Sequence, residues 1–170
     1  MIFAVLLGIL IVYIFIILYF HYRYPELHWD WKKIDTSKMN FKHSFYWGTA
    51  TASHQVEGNC TNNNWFAWEN SKDKNNNPTI KDNQKAGNAC NHWNQYEEDI
   101  ELIQELGVTH YRFSLEWSKI EPEKGVYNQN VINHYSNVID SLIKKNITPV
   151  VTLHHFTNPI WFDKLGGFEK

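Results

Sequence analysis

The chain opens on an unbroken apolar run. Residues 2–20 are 19 consecutive uncharged, almost wholly apolar positions. At about 1.5 Å per residue, a helix of this length spans roughly 28 Å, close to the thickness of one bilayer core. The pattern predicts a transmembrane or signal-anchor helix over residues 1–22 and a linker over 23–42. A cleaved signal peptide fits less well, because the run has no basic n-region and no small-x-small cleavage site. The mixed charges that follow the run leave its membrane sidedness open.

After the linker, strand-like and helix-like patterns alternate. Apolar runs predict strands at about 43–51, at Val108–Ser114 and at Ile147–Leu153. Amphipathic periodicity predicts helices at His92–Leu106 and at about Asn130–Lys145. Continuous apolar strands between amphipathic helices are typical of a parallel sheet covered by helices, so the fold class is α/β.

Local signals refine this pattern. The aromatic stretch Trp65–Glu69 predicts one helical turn, and residues 70–91, rich in Asn, Lys, Asp and Gly, predict a long surface loop. Asn91 is a plausible N-cap of the first amphipathic helix, and Asn146 a plausible C-cap of the second. We expect Leu106 and Ile143, with their apolar neighbours, on the buried faces of these helices.

Composition excludes some classes of function. The 170 residues contain 16 basic and 18 acidic side chains without a basic cluster, which argues against nucleic-acid binding. Aromatic residues make up 16% of the chain, which suits either a bulky core or a carbohydrate site. Cys60 and Cys90 could form one disulfide or remain two thiols. Since no CxxC or His/Cys ligand spacing occurs, we expect no structural zinc.

Polar side chains follow each predicted strand. The carboxyl ends of parallel strands meet at one edge of a sheet, so these groups should converge there. Neither GxGxxG nor GxxxxGK[ST] occurs, which disfavours a nucleotide site. The convergent groups are His54, Gln55 and Glu57 after the first strand, Arg112, Ser114 and Glu116 in and after the second, and His154 and His155 after the third.

Three segments carry a family resemblance. In order, they are FYWGTATASHQVEG at 45–58, YRFSLEWSKI at 111–120, and VTLHHFTNP at 151–159 with GGF at 166–168. The chain resembles the N-terminal third of glycoside hydrolase family 1, the β-glucosidase-type (β/α)8 barrels. The resemblance covers about residues 43–170. It implies the first three or so βα units of a TIM (β/α)8 barrel.

The resemblance assigns roles residue by residue. Gln55 matches the glutamine that hydrogen-bonds two neighbouring hydroxyls of the non-reducing sugar, a task suited to an amide that donates and accepts. His155 matches a histidine that contacts a sugar hydroxyl, whereas His154 occupies a more variable position. Arg112 matches the arginine that holds the catalytic nucleophile ionised and oriented. The implied activity is retaining hydrolysis of a β-glycoside without a cofactor.

The sequence also departs from the family pattern. Phe156 and Thr157 stand where the family usually has Trp and Asp, so an indole N–H and a charge are lost. Retaining glycosidases need two carboxyls, which family members carry in Asn-Glu-Pro and Glu-Asn-Gly motifs; neither motif occurs here. Glu57 and Glu116 match no catalytic position, and Glu69-Asn70-Ser71 reads as a surface turn. The alternative is therefore a non-catalytic, membrane-anchored carbohydrate-binding or interaction protein.

Overall fold

The computed structural model divides the chain into two units, Met1–His43 and Ser44–Lys170. In the first unit, helix α1 spans Ile2–Arg23 and a short 3-10 helix spans Trp31–Lys33. The helix expected from the apolar run is present and its described side chains are exposed. Part of the expected linker, including residues 25–30, lies outside the described residues. The structure describes residues 2–24, 31–35, 37, 40–42 and 44–169.

A three-stranded parallel sheet organises the second unit. Its strands are β1 (Gly48–Ala50), β2 (His110–Ser114) and β3 (Thr148–Thr152), in the order β1-β2-β3. Both pairings are parallel, as the alternating pattern predicted. The helices of this unit, in chain order, are α2 (Ser53–Val56), α3 (Asn64–Glu69), α4 (His92–Glu105), α5 (Trp117–Ile120), α6 (Gln129–Lys144) and α7 (Ile160–Lys164).

Strand β1 is shorter than the sequence suggested. Its ladder begins where Gly48 pairs with His110, the first residue of β2. One residue earlier, the carbonyl of Trp47 already accepts from the backbone N–H groups of both Thr109 and His110. The register of the partner strand therefore decides where β1 begins, and the preceding aromatic run at 45–47 lies outside the strand.

The hydrophobic core lies between the sheet and the two long helices. Side chains of β2, α4 and α6 supply most of it, as amphipathic helices packed on a buried strand should. Leu106 and Ile143 are exposed, contrary to expectation. Leu106 lies just beyond the end of α4, and Ile143 follows the fully buried Leu142 around the helix. The core residues are Ile100, Tyr111, Phe113, Val131, Tyr135, Val138, Leu142 and Ile147.

The helix ends partly follow the expected chemistry. Asn91 occupies the N-cap position of α4, but its backbone is left-handed and its side chain makes no capping bond. The side chain of Asn128 does cap α6, accepting from the backbone N–H groups of Asn130 and Val131. Lys145 is the C-cap of α6, and Asn146 follows it with a φ of 59°. Asparagine tolerates this left-handed conformation better than most residues, so Asn146 stops the helix from the position after the C-cap, and α6 ends one residue earlier than predicted.

Candidate functional site

The three candidate binding residues lie at the carboxyl edge of the sheet. Gln55 lies in α2, five residues beyond the end of β1, while Arg112 lies within β2 and His155 follows β3. Gln55 and His155 line one cavity of about 110 Å³. Arg112 Nη2 donates to His155 Nδ1 at 2.9 Å, and Arg112 Nε donates to Thr152 Oγ1 at 2.9 Å. The structure thus brings together the three residues that the sequence singled out.

The contact with Arg112 fixes the tautomer of His155. A guanidinium can only donate, so Nδ1 of His155 must accept and the imidazole is neutral with its proton on Nε2. That leaves Nε2–H as a donor with a fixed orientation. A neutral donor on the wall of a cavity with both polar and aromatic lining is suited to a hydroxyl oxygen of a ligand.

Aromatic rings form part of the same cavity wall. Trp65 and Phe156 both line it, with their ring centroids 6.3 Å apart. Phe156 has a φ of 66°, a conformation that costs a residue other than glycine about 1–2 kcal/mol. Such strain concentrates at binding sites, where the surrounding structure holds the residue in place. Exposed rings beside polar donors are typical of a site for a ring-shaped, hydroxyl-rich ligand.

Glu116 supplies a carboxylate next to this cavity. Its side chain is fully buried, and its oxygens accept from Ser53 Oγ at 3.1 Å, Asn63 Nδ2 at 3.3 Å, Ser118 Oγ at 2.6 Å and Thr157 Oγ1 at 3.2 Å. Thr157 stands where the family usually has a carboxyl side chain, and a carboxyl group is present one hydrogen bond away from it. Nothing in the sequence indicated this network, because its members come from separate segments.

His54, Cys60 and Glu116 form a cluster of metal-ligand types whose ligand atoms lie within 4.8 Å of one another. Hydrogen bonds account for two of the three: Asn63 Nδ2 contacts His54 Nδ1 at 3.1 Å, and Glu116 has four donors. Burial raises the pKa of the Cys60 thiol to about 12, so it is protonated at neutral pH. A protonated thiol is a poor ligand, and we interpret the cluster as a hydrogen-bond network.

The two cysteines do not form the disulfide that the sequence left open. Cys60 is buried and Cys90 exposed, and both are free thiols.

A second buried acidic residue, Glu57, ties the segment after β1 to α5 and α6. Lys119 Nζ donates to Glu57 Oε2 at 2.8 Å, and Tyr135 Oη donates to Glu57 Oε1 at 2.6 Å. Tyr135 in turn accepts from the backbone N–H of Glu116 at 2.8 Å. The Lys119 ammonium also lies over the Trp93 ring, 4.0 Å from its centroid. Tyr135 lies on the buried face of α6, and the amphipathic pattern of that helix gave no sign of its polar role.

Two other candidate residues behave differently from the central three. His154 turns away from the cavity, and its Nε2 lies 2.9 Å from Asn158 Oδ1. Glu69 was read as part of a surface turn, which is wrong. It ends α3 as a buried residue whose Oε2 accepts from the backbone N–H of Ala86, because the 70–91 loop folds back over it.

Comparison with known proteins now decides the family. The family model for glycosyl hydrolase family 1 matches residues 37–170. The chain belongs to glycosyl hydrolase family 1. Among curated family 1 relatives, the cytosolic beta-glucosidase of Homo sapiens is 39% identical over 134 residues, which are 76% of this chain and 28% of that protein.

Solved family 1 structures agree with this assignment. A beta-glycosidase from Pyrococcus horikoshii is 45% identical with a TM-score of 0.67, covering 76% of this chain and 29% of that one. A beta-glucosidase from Thermotoga maritima, in complex with a methoxycarbonyl-substituted glucoimidazole, is 37% identical with a TM-score of 0.70, covering 76% and 30%. The chain thus spans less than a third of the length of these family 1 relatives. Its three parallel strands with their helices form part of the TIM barrel of the family.

Proposed function

We propose that this chain carries the glycone-binding part of a retaining β-glycosidase that hydrolyses O-glycosidic bonds of β-glycosides. The observation that supports this proposal best is the hydrogen bond from Arg112 to His155, because His155 and Gln55 line the same cavity. The residues come from α2 after β1, from β2, and from the segment after β3, and each has a hydrogen-bonding capacity suited to sugar hydroxyls or to a carboxylate beside them.

Each residue has a distinct part in this proposal. The exposed Gln55 amide donates to one hydroxyl of the non-reducing sugar and accepts from its neighbour. His155 donates from Nε2 to another hydroxyl. Arg112 uses Nε and Nη2 for its two observed bonds. Its positive charge has the part of holding a neighbouring catalytic carboxylate ionised.

Catalysis needs more than this part of the fold. A retaining mechanism uses two carboxyls about 5–5.5 Å apart, a nucleophile and an acid/base. In our proposal both are glutamates of the Asn-Glu-Pro and Glu-Asn-Gly motifs, which do not occur among the 170 residues. Glu57 and Glu116 cannot substitute, because each already accepts hydrogen bonds from buried partners. Residues 1–170 alone should therefore bind a glycone without turning it over.

The test separates binding from turnover. A glucoimidazole, the ligand class of the Thermotoga maritima structure, is titrated calorimetrically into the wild type and into Gln55→Ala. We expect measurable affinity in the wild type and at least tenfold weaker binding in the variant, roughly the loss of two hydrogen bonds. No binding in the wild type, or equal binding in the variant, refutes the proposal.

A chromogenic β-glucoside then distinguishes the two candidate functions. The presence of glycone-binding residues without either catalytic motif favours, for these 170 residues, a carbohydrate-binding role over an enzymatic one. Turnover by a purified sample of this chain would contradict that view. Turnover that appears only when the Asn-Glu-Pro and Glu-Asn-Gly segments are supplied would support the glycosidase.

We further propose that residues 2–20 anchor the protein in a membrane as a single pass. Within the described part of the chain, one helix, Phe3–Arg23, is long and apolar enough for this, and its side chains are exposed. Carbonate extraction of membranes from expressing cells tests the proposal. The intact chain should stay in the pellet and a chain lacking residues 2–20 should not; an N-terminus cleaved after the helix would instead indicate a signal peptide.

A further inference from the structure

Glu116 is a junction of four separate segments. The carboxylate accepts from Ser53 at the start of α2, from Asn63 before α3, from Ser118 in α5 and from Thr157 after β3. All four donors are buried. Its four hydrogen bonds measure 2.6–3.3 Å, and among the described residues no other side chain at the carboxyl edge of the sheet joins so many segments.

Two of these segments carry the sugar-contacting residues of the proposed site. Ser53 lies two residues before Gln55, and Thr157 lies two residues after His155. Both donate to the same oxygen, Oε2 of Glu116, at 3.1 Å and 3.2 Å. The distance between the Gln55 loop and the His155 loop is thus set through one carboxylate atom.

The second carboxylate oxygen of Glu116, Oε1, holds the part of the cavity wall that Trp65 supplies. Asn63 Nδ2 donates to Oε1 and also contacts His54 Nδ1, while its own Oδ1 accepts from the backbone N–H of Phe66. This holds the start of α3, which carries Trp65, against the same junction. A carboxylate offers about four acceptor positions, so four neutral donors match it fully and replace the water it has lost.

We propose that Glu116 is a positioning residue of the sugar site, setting the separation of Gln55, His155 and Trp65 without touching the sugar. This inference rests on the proposed function, since it assigns a role within that site. A near-isosteric amide matches the junction only in part. Its NH2 end fits only the Oε2 position, because the Ser53 and Thr157 hydroxyls there can turn and accept, whereas Asn63 Nδ2 at Oε1 can only donate. Both hydroxyls then lose the acceptor for their own hydrogen, so Glu116→Gln keeps the fold while loosening the two bonds that join the Gln55 and His155 loops.

Binding of a glucoimidazole provides the first test. We expect Glu116→Gln to raise its Kd about tenfold or more, since misplacing several contacts weakens each of them. Glu121→Gln is the matched control: Glu121 is also buried, but it accepts from Trp117 Nε1 and the backbone N–H of Gly125, away from the cavity. The Kd of Glu121→Gln for the glucoimidazole should differ less than about twofold from that of the wild type, because the hydrogen bonds it alters lie outside the cavity. Equal effects in the two variants overturn the proposal.

Moving the charge gives a rescue experiment. Thr157→Asp alone places a second carboxylate beside Glu116, and Glu116→Ser alone removes the acceptor. The double variant restores one carboxylate to the same junction from the opposite side of the 3.2 Å bond. We expect it to bind more tightly than either single variant; a double variant no better than Glu116→Ser overturns the proposal.

Amide hydrogen exchange keeps the test independent of sugar binding. In Glu116→Gln, backbone amides at 53–56 and 155–157 should exchange faster together, whereas Glu121→Gln should leave both segments unchanged. Unchanged exchange in Glu116→Gln overturns the inference even if the wild type binds sugar. Conversely, coupled exchange with no sugar binding by the wild type refutes the proposed function alone. If Glu116→Gln does not fold, Thr157→Val removes a single donor and should accelerate exchange at 155–157.

Discussion

Arg112 donates from Nη2 to Nδ1 of His155 across 2.9 Å, and this bond joins the second and third strand ends of the sheet. It leaves Nε2–H of the imidazole as the donor of a residue that lines the same cavity as Gln55. An adjacent histidine, His154, lies one residue earlier and instead contacts Asn158. Two neighbouring residues of the same type therefore have opposite relationships to the site.

This difference predicts opposite outcomes for two alanine variants. His155→Ala should weaken glucoimidazole binding by about 1.5–2 kcal/mol, roughly ten- to thirtyfold in Kd, because it removes a preoriented donor and leaves Arg112 without its acceptor. His154→Ala should change Kd less than about threefold, since its ring lies outside the cavity. Calorimetric titration of the two variants side by side checks this, and similar losses in both would contradict the assignment of His155.

The buried Glu57 carboxyl predicts a pH dependence of stability. Burial raises its pKa above the ordinary value of 4.5, although Lys119 and Tyr135 act in the opposite direction. Above that value the unfolded chain has released a proton that the folded chain still holds, so the free energy of unfolding falls as pH rises toward the folded pKa. In Glu57→Gln, this part of the fall should disappear when urea unfolding is measured across that range.

Tyr135→Phe provides the complementary variant. It removes a donor to Glu57 that lowers the carboxyl pKa, so the fall in stability should extend to higher pH. If the slope of unfolding free energy against pH is the same in the wild type, Glu57→Gln and Tyr135→Phe, another group causes the dependence.

The two cysteines should react at very different rates. Cys90 is exposed, whereas Cys60 is buried with its thiol pKa raised to about 12. The thiolate is the reactive form, so native protein should release about one equivalent of chromophore from an aromatic disulfide reagent and a second only in denaturant. In Cys90→Ser the fast equivalent should vanish. Two fast equivalents, or none before reduction, would contradict this arrangement.

Gly58 should tolerate a side chain less well than another glycine of similar conformation. Its φ is +83°, and an added Cβ would overlap the backbone carbonyl of Asn88. Gly125 has a φ of +78° with open space around it. Gly125→Ala should cost about 1–2 kcal/mol of unfolding free energy from backbone strain alone. Gly58→Ala should cost clearly more and should increase proteolysis within the 70–91 loop; equal melting temperatures for the two variants would be inconsistent with this close approach.

The sequence predicted the parts of this molecule that depend on local periodicity. The helices α4 and α6 follow from spacing that a single segment carries, and the parallel pairing of three strands follows from the alternation of strand and helix segments. The limits of β1 do not, because they depend on where His110 begins the neighbouring strand. Family resemblance located Gln55, Arg112 and His155, and the structure brings them together at the sheet edge.

The polar networks behind the site could not be read from the sequence. Glu116 and Thr157 are 41 residues apart, and Tyr135 is 78 residues from Glu57. Nothing in the immediate neighbours of Tyr135 distinguishes its hydroxyl from that of an ordinary core tyrosine on an amphipathic helix. The loss of charge expected at Thr157 was likewise a statement about one position, whereas the structure supplies that charge from another strand end.

The Glu116 junction also has a consequence for the order of folding events. Two of its four donors lie far away along the chain: Ser53 is 63 residues before Glu116, and Thr157 is 41 residues after it. The hydrogen bonds to Glu116 are therefore complete only when both loops are in place. The apolar contacts of β2 with its two flanking helices involve shorter loops and should form earlier. Until Thr157 arrives, the carboxylate must stay hydrated, and water must leave as the last donor docks. Dehydration of one side chain would then be a late step in the maturation of the whole sheet edge.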